Sequence, residues 1–317
     1  MRLTRVREMN YAKMFGRCSL VAASLAMILA LPVGAIASDV RLSEGPDAPI
    51  SSVAPLSSFD PSVMVVGGGA FDIEVNFVGG LTPSQEAIFS QAEAMWESVI
   101  LGYLPGGTTY EDSLVINAEG AAIDGVGGVL GSAGPTYIWD DGSDYLVSIE
   151  GDMTFDSADL ANMETSGILD EVIAHEMGHV IGLGTLWSSS GVGFPGYQEV
   201  YVGASGEYTG PAGVAAYQSE FSQPGAAFVP VELGGGGGTA NAHWNEGDGG
   251  GLTGITNGDG KDMRNELMTG WINSPTFLSQ TTISSLEDLG YEVTPEPATM
   301  SLLAIGALAI MRRRRRS

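Results

Sequence analysis

The sequence predicts an α+β fold, in which a twisted sheet, mixed or mainly antiparallel, packs against helices and precedes an irregular C-terminal lobe. Three observations lead to this prediction. Residues 71–77 alternate apolar with polar side chains, which is typical of a half-buried strand. Two later stretches, 82–99 and 166–182, repeat apolar residues with helical spacing. Beyond residue 184 the chain becomes irregular and rich in glycine, with five in a row at 234–238.

The first helix is predicted to begin at Thr82. Threonine is a favoured N-cap residue, Pro83 suits the first turn, and Gln85 can complete a capping box with Thr82. Apolar residues then recur along one side of the helix, so we expect them to belong to the core rather than to a cofactor site. They are Ile88, Ala92, Met95, Trp96 and Val99.

Three short strands and two further helices are predicted after the first helix. The second helix covers about residues 166–182, and a last short helix covers residues 281–289 and ends at a glycine, as a C-cap often does. No internal repeat is visible, so residues 70–294 are predicted to form a single domain. Glycine-rich turns separate the three strands. The strands are at residues 114–116, 136–139 and 145–149.

The N-terminal end carries the pattern of a secretory signal. Residues 1–37 combine basic residues, an apolar run and the sequence Ala35-Ile36-Ala37, which predicts a signal peptide that signal peptidase removes before Ser38. The alternative is a retained N-terminal anchor, although small residues end the apolar run early for a membrane span. Residues 38–69 are rich in Ser, Pro and Asp and lack periodicity. We interpret them as a linker or a short pro-segment.

The C-terminal end, residues 295–317, has three parts in order: Pro295-Glu296-Pro297, an apolar run at 298–311, and arginines at 312–316. This tail resembles the PEP-CTERM sorting signals of Gram-negative bacteria. The resemblance implies transient transmembrane anchoring in the inner membrane, cleavage by an exosortase-type enzyme, and a final location at the cell surface or in the extracellular matrix. A plain tail anchor is the alternative, although fourteen residues at about 1.5 Å each fall short of the hydrocarbon core.

Removing both terminal signals leaves a strongly acidic protein. Only Arg41, Lys261 and Arg264 of the 13 basic residues lie outside the signals, against 36 of the 38 acidic residues, which gives a net charge near −33. Nucleic acid is therefore excluded as a partner, because phosphate contacts need clustered Lys and Arg, whereas cations are favoured. The one cysteine, Cys18, lies in the predicted signal peptide. The processed chain thus has neither a disulfide nor thiolate chemistry.

The three histidines of the chain have the spacing of metal ligands. His175 and His179 belong to the sequence H-E-M-G-H on the second predicted helix, and His243 follows 64 residues after His179. Residues four apart lie on one helix face, so His175 and His179 can bind one Zn²⁺ ion. Glu176 is offset from that face and can act as general base toward a water molecule. Three protein ligands and one open position are typical of a catalytic zinc site.

The third ligand needs a separate argument. In the common pattern H-E-x-x-H-x-x-G-x-x-H, Gly182 is present, but the position of the third histidine is Thr185, a poor zinc ligand. Glu199 is near the spacing that glutamate-type zinc peptidases use, but its surroundings do not predict a helix. His243 is the only histidine that remains.

These motifs together resemble the leishmanolysin-type metzincin zinc peptidases. The shared features are H-E-M-G-H-V-I-G-L-G, a long insertion, the lone A-H-W around His243, and Glu266-Leu267-Met268-Thr269-Gly270. The resemblance covers roughly residues 70–294. It implies a metzincin fold, hydrolysis of peptide bonds in proteins or peptides, one catalytic Zn²⁺ with His243 as third ligand, and Met268 as the methionine of the turn beneath it. Eukaryotic members are larger and rich in cysteine, so their loop-borne specificity is not carried over.

Several alternatives remain open at this point. The chain could be a non-catalytic zinc-containing surface or matrix protein, or a zinc hydrolase that acts on a non-peptide amide. Met268 could be an ordinary core residue, and His243 a surface histidine. The acidic, glycine-rich stretches 140–144 and 247–262 could bind Ca²⁺ through carboxylates and carbonyls, or could be ordinary solvated loops.

Overall fold

A mixed sheet of seven strands lies at the centre of the structure. The computed structural model describes residues 27–30, 38–42, 71–104, 113–140, 144–247 and 249–295. The strands are β1 (Met27–Ala30), β2 (Ser38–Leu42), β3 (Asp72–Gly79), β4 (Ile100–Tyr103), β5 (Ser113–Ala121), β6 (Val129–Asp140), β7 (Leu146–Asp156), β8 (Glu207–Tyr208), β9 (Val229–Pro230), β10 (Trp271–Ile272) and β11 (Tyr291–Val293). The helices are α1 (Pro83–Glu86), α2 (Phe89–Val99), α3 (Leu160–Ser166), α4 (Leu169–Ile181), α5 (Pro211–Glu220) and α6 (Gln280–Ser285), with 3₁₀ turns at Met263–Asn265 and Glu287–Leu289.

The strand order of the sheet is β10-β2-β6-β7-β5-β3, and β1 pairs with the far end of β6. Strands β3, β5 and β7 are mutually parallel, and β10 is parallel to β2. Strand β6 is antiparallel to β1, β2 and β7. The sheet is therefore mixed, with as many parallel as antiparallel pairs among its described strands. This arrangement is compatible with the predicted α+β class, and the metzincin fold stays a prediction.

The first predicted helix forms in two pieces. The capping box is present, because Gln85 N–H donates to Thr82 Oγ1 (3.3 Å) and Thr82 N–H donates to Gln85 Oε1 (2.9 Å). A turn at residues 87–88 then separates α1 from α2. The apolar side of α2 is buried as predicted, and both Met95 and Trp96 belong to the core. Trp96 also joins two helices, since its Nε1–H donates to the carbonyl oxygen of Ala174 in α4 (2.9 Å).

Helix α4 lies entirely inside the protein, because all 13 of its residues are buried. It begins at Leu169 rather than near residue 166, since Gly167 adopts a left-handed conformation (φ 73°) that ends α3. Glycines on the sheet allow α4 to lie close. A Cβ atom at Gly151 of β7 would collide with the Val180 side chain, and one at Gly131 of β6 would lie 2.6 Å from Glu176 Oε1. Alternate residues of β6 and β7 thus face α4.

Two strands lie in segments for which the sequence predicts no strand. Strand β1 falls in the predicted signal peptide, and β2 falls in residues 38–69, predicted to be a linker or pro-segment. Strand β2 inserts between β6 and β10, so its backbone pairs on both sides. The other residues of both segments, and residues 296–317 of the tail, lie outside the described part of the chain. Within the described ranges, no helix is long and apolar enough to cross a bilayer.

The C-terminal lobe is less irregular than the sequence suggests. Helix α5 was not predicted, because its apolar residues are small and show no clear one-sided spacing. The final predicted helix is present as α6 followed by a 3₁₀ turn, with Ser279 as N-cap, and it ends at Gly290 with φ 94°, as predicted. Strand β11 of the lobe pairs antiparallel with β4, and α6 packs against α5. His243 lies in the lobe outside its helices and strands.

Candidate metal centre

Helix α4 and a loop of the C-terminal lobe bring the three histidines to one point. His175 Nε2 lies 2.9 Å from His179 Nε2 and 3.1 Å from His243 Nε2, and the last two nitrogens are 2.9 Å apart. All three side chains are fully buried. The two helical histidines, four residues apart, and the distant His243 therefore meet as the sequence predicts. The three could hold a metal ion.

The second nitrogen of each ring fixes its orientation. His175 Nδ1 lies 2.6 Å from the carbonyl oxygen of Leu267, His179 Nδ1 lies 2.8 Å from that of Leu183, and His243 Nδ1 lies 2.8 Å from that of Thr239. A carbonyl oxygen only accepts, so each Nδ1 carries the proton of a neutral ring and each Nε2 keeps a lone pair. Three lone pairs that point at one another cannot form hydrogen bonds among themselves. A cation placed between them would interact favourably with all three. The donor set of three imidazoles fits Zn²⁺.

The surroundings keep the histidines neutral. Burial lowers the pKa of His175 well below its usual value, and the neighbouring His243 adds to this effect. Burial likewise lowers the pKa of His179, followed by the effects of the two other rings. For His243, burial lowers the pKa to about 4, against a small opposing effect of the Thr239 carbonyl. Neutral imidazole is the form that binds a metal, so the site is prepared for one at neutral pH.

Glu176 is buried beside the histidines but is not one of the converging ligands. Its carboxylate lies against the backbone of β6 at Gly131, where a side chain would occupy the same space. The carboxylate is thus held next to the sheet, one residue beyond His175 on α4. This position is compatible with the predicted role of general base, which stays a prediction.

The two other candidate ligands point elsewhere. Thr185 Oγ1 donates a hydrogen bond to the carbonyl oxygen of His179 (2.7 Å), so it closes the end of its own helix. The Glu199 carboxylate accepts hydrogen bonds from Ser188 Oγ (2.7 Å), Ser189 Oγ (3.0 Å) and Ser190 N–H (2.6 Å). Both residues therefore stabilise the loop after α4 and do not join the histidines.

Met268 packs against α4, the helix that carries His175 and His179. Its side chain is buried and packs on α4 at Gly178, where a Cβ atom would lie 2.6 Å from Met268 Sδ. The preceding residue, Leu267, supplies the carbonyl oxygen that orients His175. The carbonyl oxygen of Met268 itself accepts a hydrogen bond from Trp244 N–H (3.0 Å), next to His243. The turn thus contacts both histidine-bearing segments, α4 and the segment around His243.

Glu266 organises this turn, a role that no pattern in the sequence predicts. Its fully buried carboxylate accepts from Met268 N–H (2.6 Å), Ser279 N–H (3.1 Å), Ser279 Oγ (2.9 Å) and Thr282 Oγ1 (2.6 Å). Thr282 Oγ1 in turn accepts from Trp244 Nε1–H (2.8 Å). Burial raises the pKa of Glu266 to about 7, and these donors oppose the rise. All four partners donate hydrogen bonds to the carboxyl group and none accepts one, which favours its ionised form.

We expect Glu266→Gln to loosen both the turn and the site. The NH₂ group of the new side chain would face groups that are themselves donors, Met268 N–H or the hydroxyls of Ser279 and Thr282. These buried donors would then lack an acceptor. We therefore expect a loss of about 1–3 kcal/mol in the free energy of unfolding and about tenfold weaker zinc binding. Chemical denaturation and zinc titration would measure these effects, with Glu292→Gln on the exposed side of β11 as control. Unchanged stability and zinc affinity in Glu266→Gln would contradict this role.

The acidic loops do not converge within the described residues. Asp262 accepts hydrogen bonds from Thr253 N–H (3.1 Å), Thr253 Oγ1 (2.7 Å), Gly254 N–H (2.9 Å) and Arg264 N–H (2.9 Å), so it closes its own loop. Residues 141–143 and 248 lie outside the described part. Over the described ranges, the three histidines form the single group of three or more potential ligand side chains. The predicted Ca²⁺ binding by stretches 140–144 and 247–262 therefore gains no support.

A cavity of about 420 Å³ lies away from the histidines. Its lining includes Asn117, Ser132, Asp152 and Thr154 of strands β5, β6 and β7. Ser132 and Asp152 alternate with residues that face α4, so the cavity is on the opposite face of the sheet. It therefore has no part in the metal centre.

Comparison with known families identifies the end of the chain. Residues 293–316 match the PEP-CTERM protein-sorting motif. This match confirms the predicted sorting tail and the predicted partner, an exosortase-type sorting enzyme. The protein is thus extracytoplasmic and processed by such an enzyme. No curated protein matches the chain.

Proposed function

We propose that this protein is a zinc-dependent metalloendopeptidase that acts outside the cytoplasm, related in type to the leishmanolysin-like metzincins. One observation carries the proposal: three neutral, buried imidazoles direct their Nε2 lone pairs at one point, with the buried Glu176 carboxylate on the adjacent position of α4. This combination suits hydrolysis, because a metal held by three ligands keeps a position for water or substrate.

The residues of the site would divide the chemistry as follows. His175, His179 and His243 would hold the ion. A bound Zn²⁺ supplies Lewis acidity to a carbonyl and lowers the pKa of water to about 7. Glu176 would take the proton from the attacking water and pass it to the nitrogen of the leaving amine. The carboxylate is fixed between α4 and Gly131, so it needs little rearrangement to act.

The competing function is a non-catalytic surface or matrix protein that uses zinc structurally. Structural zinc sites are almost always closed by four protein ligands. Among the described residues, no fourth His, Cys, Asp or Glu joins the three histidine nitrogens. This finding favours the peptidase. The sorting tail fits either function, and the surface or extracellular matrix of a Gram-negative bacterium is the proposed destination, reached by transient inner-membrane anchoring.

The proposal is tested by cleavage of unfolded casein by the secreted protein. New peptide N-termini should appear, should disappear with a zinc chelator, and should return on addition of Zn²⁺. A panel of non-peptide amides alongside casein distinguishes a peptidase from another amide hydrolase. Zinc-loaded protein that cleaves neither casein nor any amide would favour the structural alternative.

Residues 38–42 fit the pro-segment interpretation better than the linker interpretation. Strand β2 begins at Ser38, the first residue after the predicted signal-peptide cleavage. Its Val40 pairs with Gly131, the residue against Glu176, and its Arg41 pairs with Trp271, which follows Gly270 beside the His243 ring. An extended substrate bound beside these residues would form backbone hydrogen bonds with the same edges of β6 and β10. We propose that β2 covers them in the precursor.

Removal of residues 38–42 should therefore increase casein cleavage. We expect severalfold higher kcat/KM in a chain that begins at residue 43, because the edges of β6 and β10 become available to substrate. A synthetic peptide of residues 38–42 should restore inhibition, and a scrambled peptide of the same composition should not. Zinc content and melting temperature serve as controls for folding. Unchanged kcat/KM in a folded, zinc-loaded chain without β2 would refute the covering role.

A further inference from the structure

Two buried glutamates of the C-terminal lobe lie apart from the catalytic chemistry. Glu232 and Glu246 are 2% and 1% exposed, and the Glu246 carboxyl is close enough to feel the charge of the Glu232 carboxylate. Backbone pairing explains the proximity, because Val231 bridges to Trp244 and Glu232 N–H donates to the carbonyl oxygen of His243 (2.9 Å). The pair therefore lies on two paired segments, and the segment of Glu246 carries His243 to the metal centre.

Most of the oxygens of this pair lack a protein donor. Glu232 Oε1 accepts a hydrogen bond from Gly234 N–H. Glu232 Oε2 and both carboxylate oxygens of Glu246 are buried without a hydrogen-bond partner. Glu266, which is equally buried, receives four donors. Since buried carboxylates are normally paired or bound to metals, the contrast indicates a missing positive partner.

The protein itself offers no cation for this role among the side chains that the structure describes. Lys261 Nζ lies 5.1 Å from the centre of the Phe277 ring. Arg264 Nε donates to Asn273 Oδ1 (2.8 Å). The three histidines are directed at the metal centre. Burial, followed by the charge of Glu232, raises the pKa of Glu246 to about 8, against smaller effects of nearby backbone N–H groups. Ionisation of both carboxylates therefore needs a positive partner that the described side chains do not supply.

The chemistry and surroundings of the pair suit a hard divalent cation. Carboxylate oxygens supplemented by backbone carbonyls are the usual ligands of Ca²⁺. Glycines at 234–238 and at 249–251 follow the two glutamates in the chain. The first run approaches so closely that a Cβ atom at Gly234 would lie 2.8 Å from Glu232 Oε1. Gly251 exchanges two backbone hydrogen bonds with Gly247, the residue after Glu246 (3.0 and 2.9 Å). Such loops let backbone oxygens approach an ion.

We propose that Glu232 and Glu246 bind a Ca²⁺ ion at a second metal site, distinct from the three histidines. The ion compensates both carboxylates and steadies the paired segments that carry His243. This role does not depend on whether the protein is a peptidase, because the site would stabilise the lobe in either case.

Luminescence of Tb³⁺, which replaces Ca²⁺ and is excited through nearby tryptophans such as Trp244, tests the proposal on the zinc-loaded secreted protein. We expect saturable luminescence that Ca²⁺ displaces, and at least tenfold weaker Tb³⁺ binding in Glu246→Gln and Glu232→Gln. Glu207→Gln, an exposed glutamate of the same lobe, should bind Tb³⁺ like the wild type. Zinc content should stay the same in all variants.

Thermal unfolding gives a second, independent readout. Ca²⁺ should raise the melting temperature of the wild type by several degrees and leave that of Glu246→Gln unchanged. In Ca²⁺-free buffer, Glu246→Gln should be at least as stable as the wild type, because its amide can donate to Glu232. Absence of Ca²⁺-displaceable Tb³⁺ luminescence, with no effect of Ca²⁺ on wild-type melting, would overturn the proposal. The two glutamates would then share a proton.

Discussion

Glu176→Gln is expected to abolish casein cleavage while the protein keeps its zinc. The amide has nearly the shape of the carboxylate, so it can occupy the same buried space against Gly131 of β6. It cannot accept a proton from water, and positioned proton transfer contributes about 10²–10⁴-fold to such reactions. We therefore expect kcat to fall by at least about 10²-fold, with no change in zinc content because Glu176 is outside the group of ligand atoms.

Matched controls make this result specific. Glu292→Gln makes the same chemical change at an exposed position of β11 and should leave turnover unchanged. Metal analysis of both variants shows whether zinc is retained. Normal turnover by zinc-loaded Glu176→Gln would eliminate Glu176 as the general base.

His243→Ala is expected to have the largest effect on metal binding. The substitution removes one of the three Nε2 atoms that could bind the metal. It also removes the ring N–H that donates a hydrogen bond to the Thr239 carbonyl. Loss of a partner that only orients a ligand costs about 10–100-fold in metal affinity, so loss of a ligand should exceed about 100-fold. A 100-fold change corresponds to about 2.7 kcal/mol of zinc-dependent stabilisation. Competition with a chelator and unfolding with and without zinc would measure both quantities.

Thr185→Ala is the matched control for His243→Ala. Thr185 stands where the common metzincin pattern has its third histidine, but it donates to the His179 carbonyl. We expect this variant to bind zinc with nearly wild-type affinity. If Thr185→Ala lost zinc and His243→Ala kept it, the assignment of the third ligand would be reversed.

Local patterns were enough to predict much of the N-terminal half. The capping box at Thr82 and the buried side of α2 depend on neighbours in the chain, and both are present. The break between α1 and α2 and the start of α4 after Gly167 were not predicted. Helix periodicity alone does not locate such interruptions, because a two-residue turn barely disturbs it. Strand β2 was missed for another reason: its two partners, β6 and β10, lie some 90 and 230 residues further along the chain.

The candidate site, too, was predictable from local patterns only where it depends on residues close together in the chain. His175, Glu176 and His179 are fixed by one turn of helix and were found from spacing, whereas His243 was found by elimination and by resemblance to a family. The structure brings all three histidines together. The role of Glu266 depends on donors from Ser279 and Thr282 that fold back onto it, and no short pattern encodes them. Buried acidic pairs such as Glu232 and Glu246 are equally invisible in a single sequence.

Zinc titration of the metal-free secreted protein, with casein cleavage followed at each step, tests the central claim most directly. If three histidines form one catalytic site, cleavage should rise in proportion to added zinc and stop rising at one ion per chain. Cleavage that is independent of zinc would contradict the metal-centred mechanism. Uptake of one zinc per chain with no cleavage, even after removal of residues 38–42, would show a structural metal site instead of a peptidase.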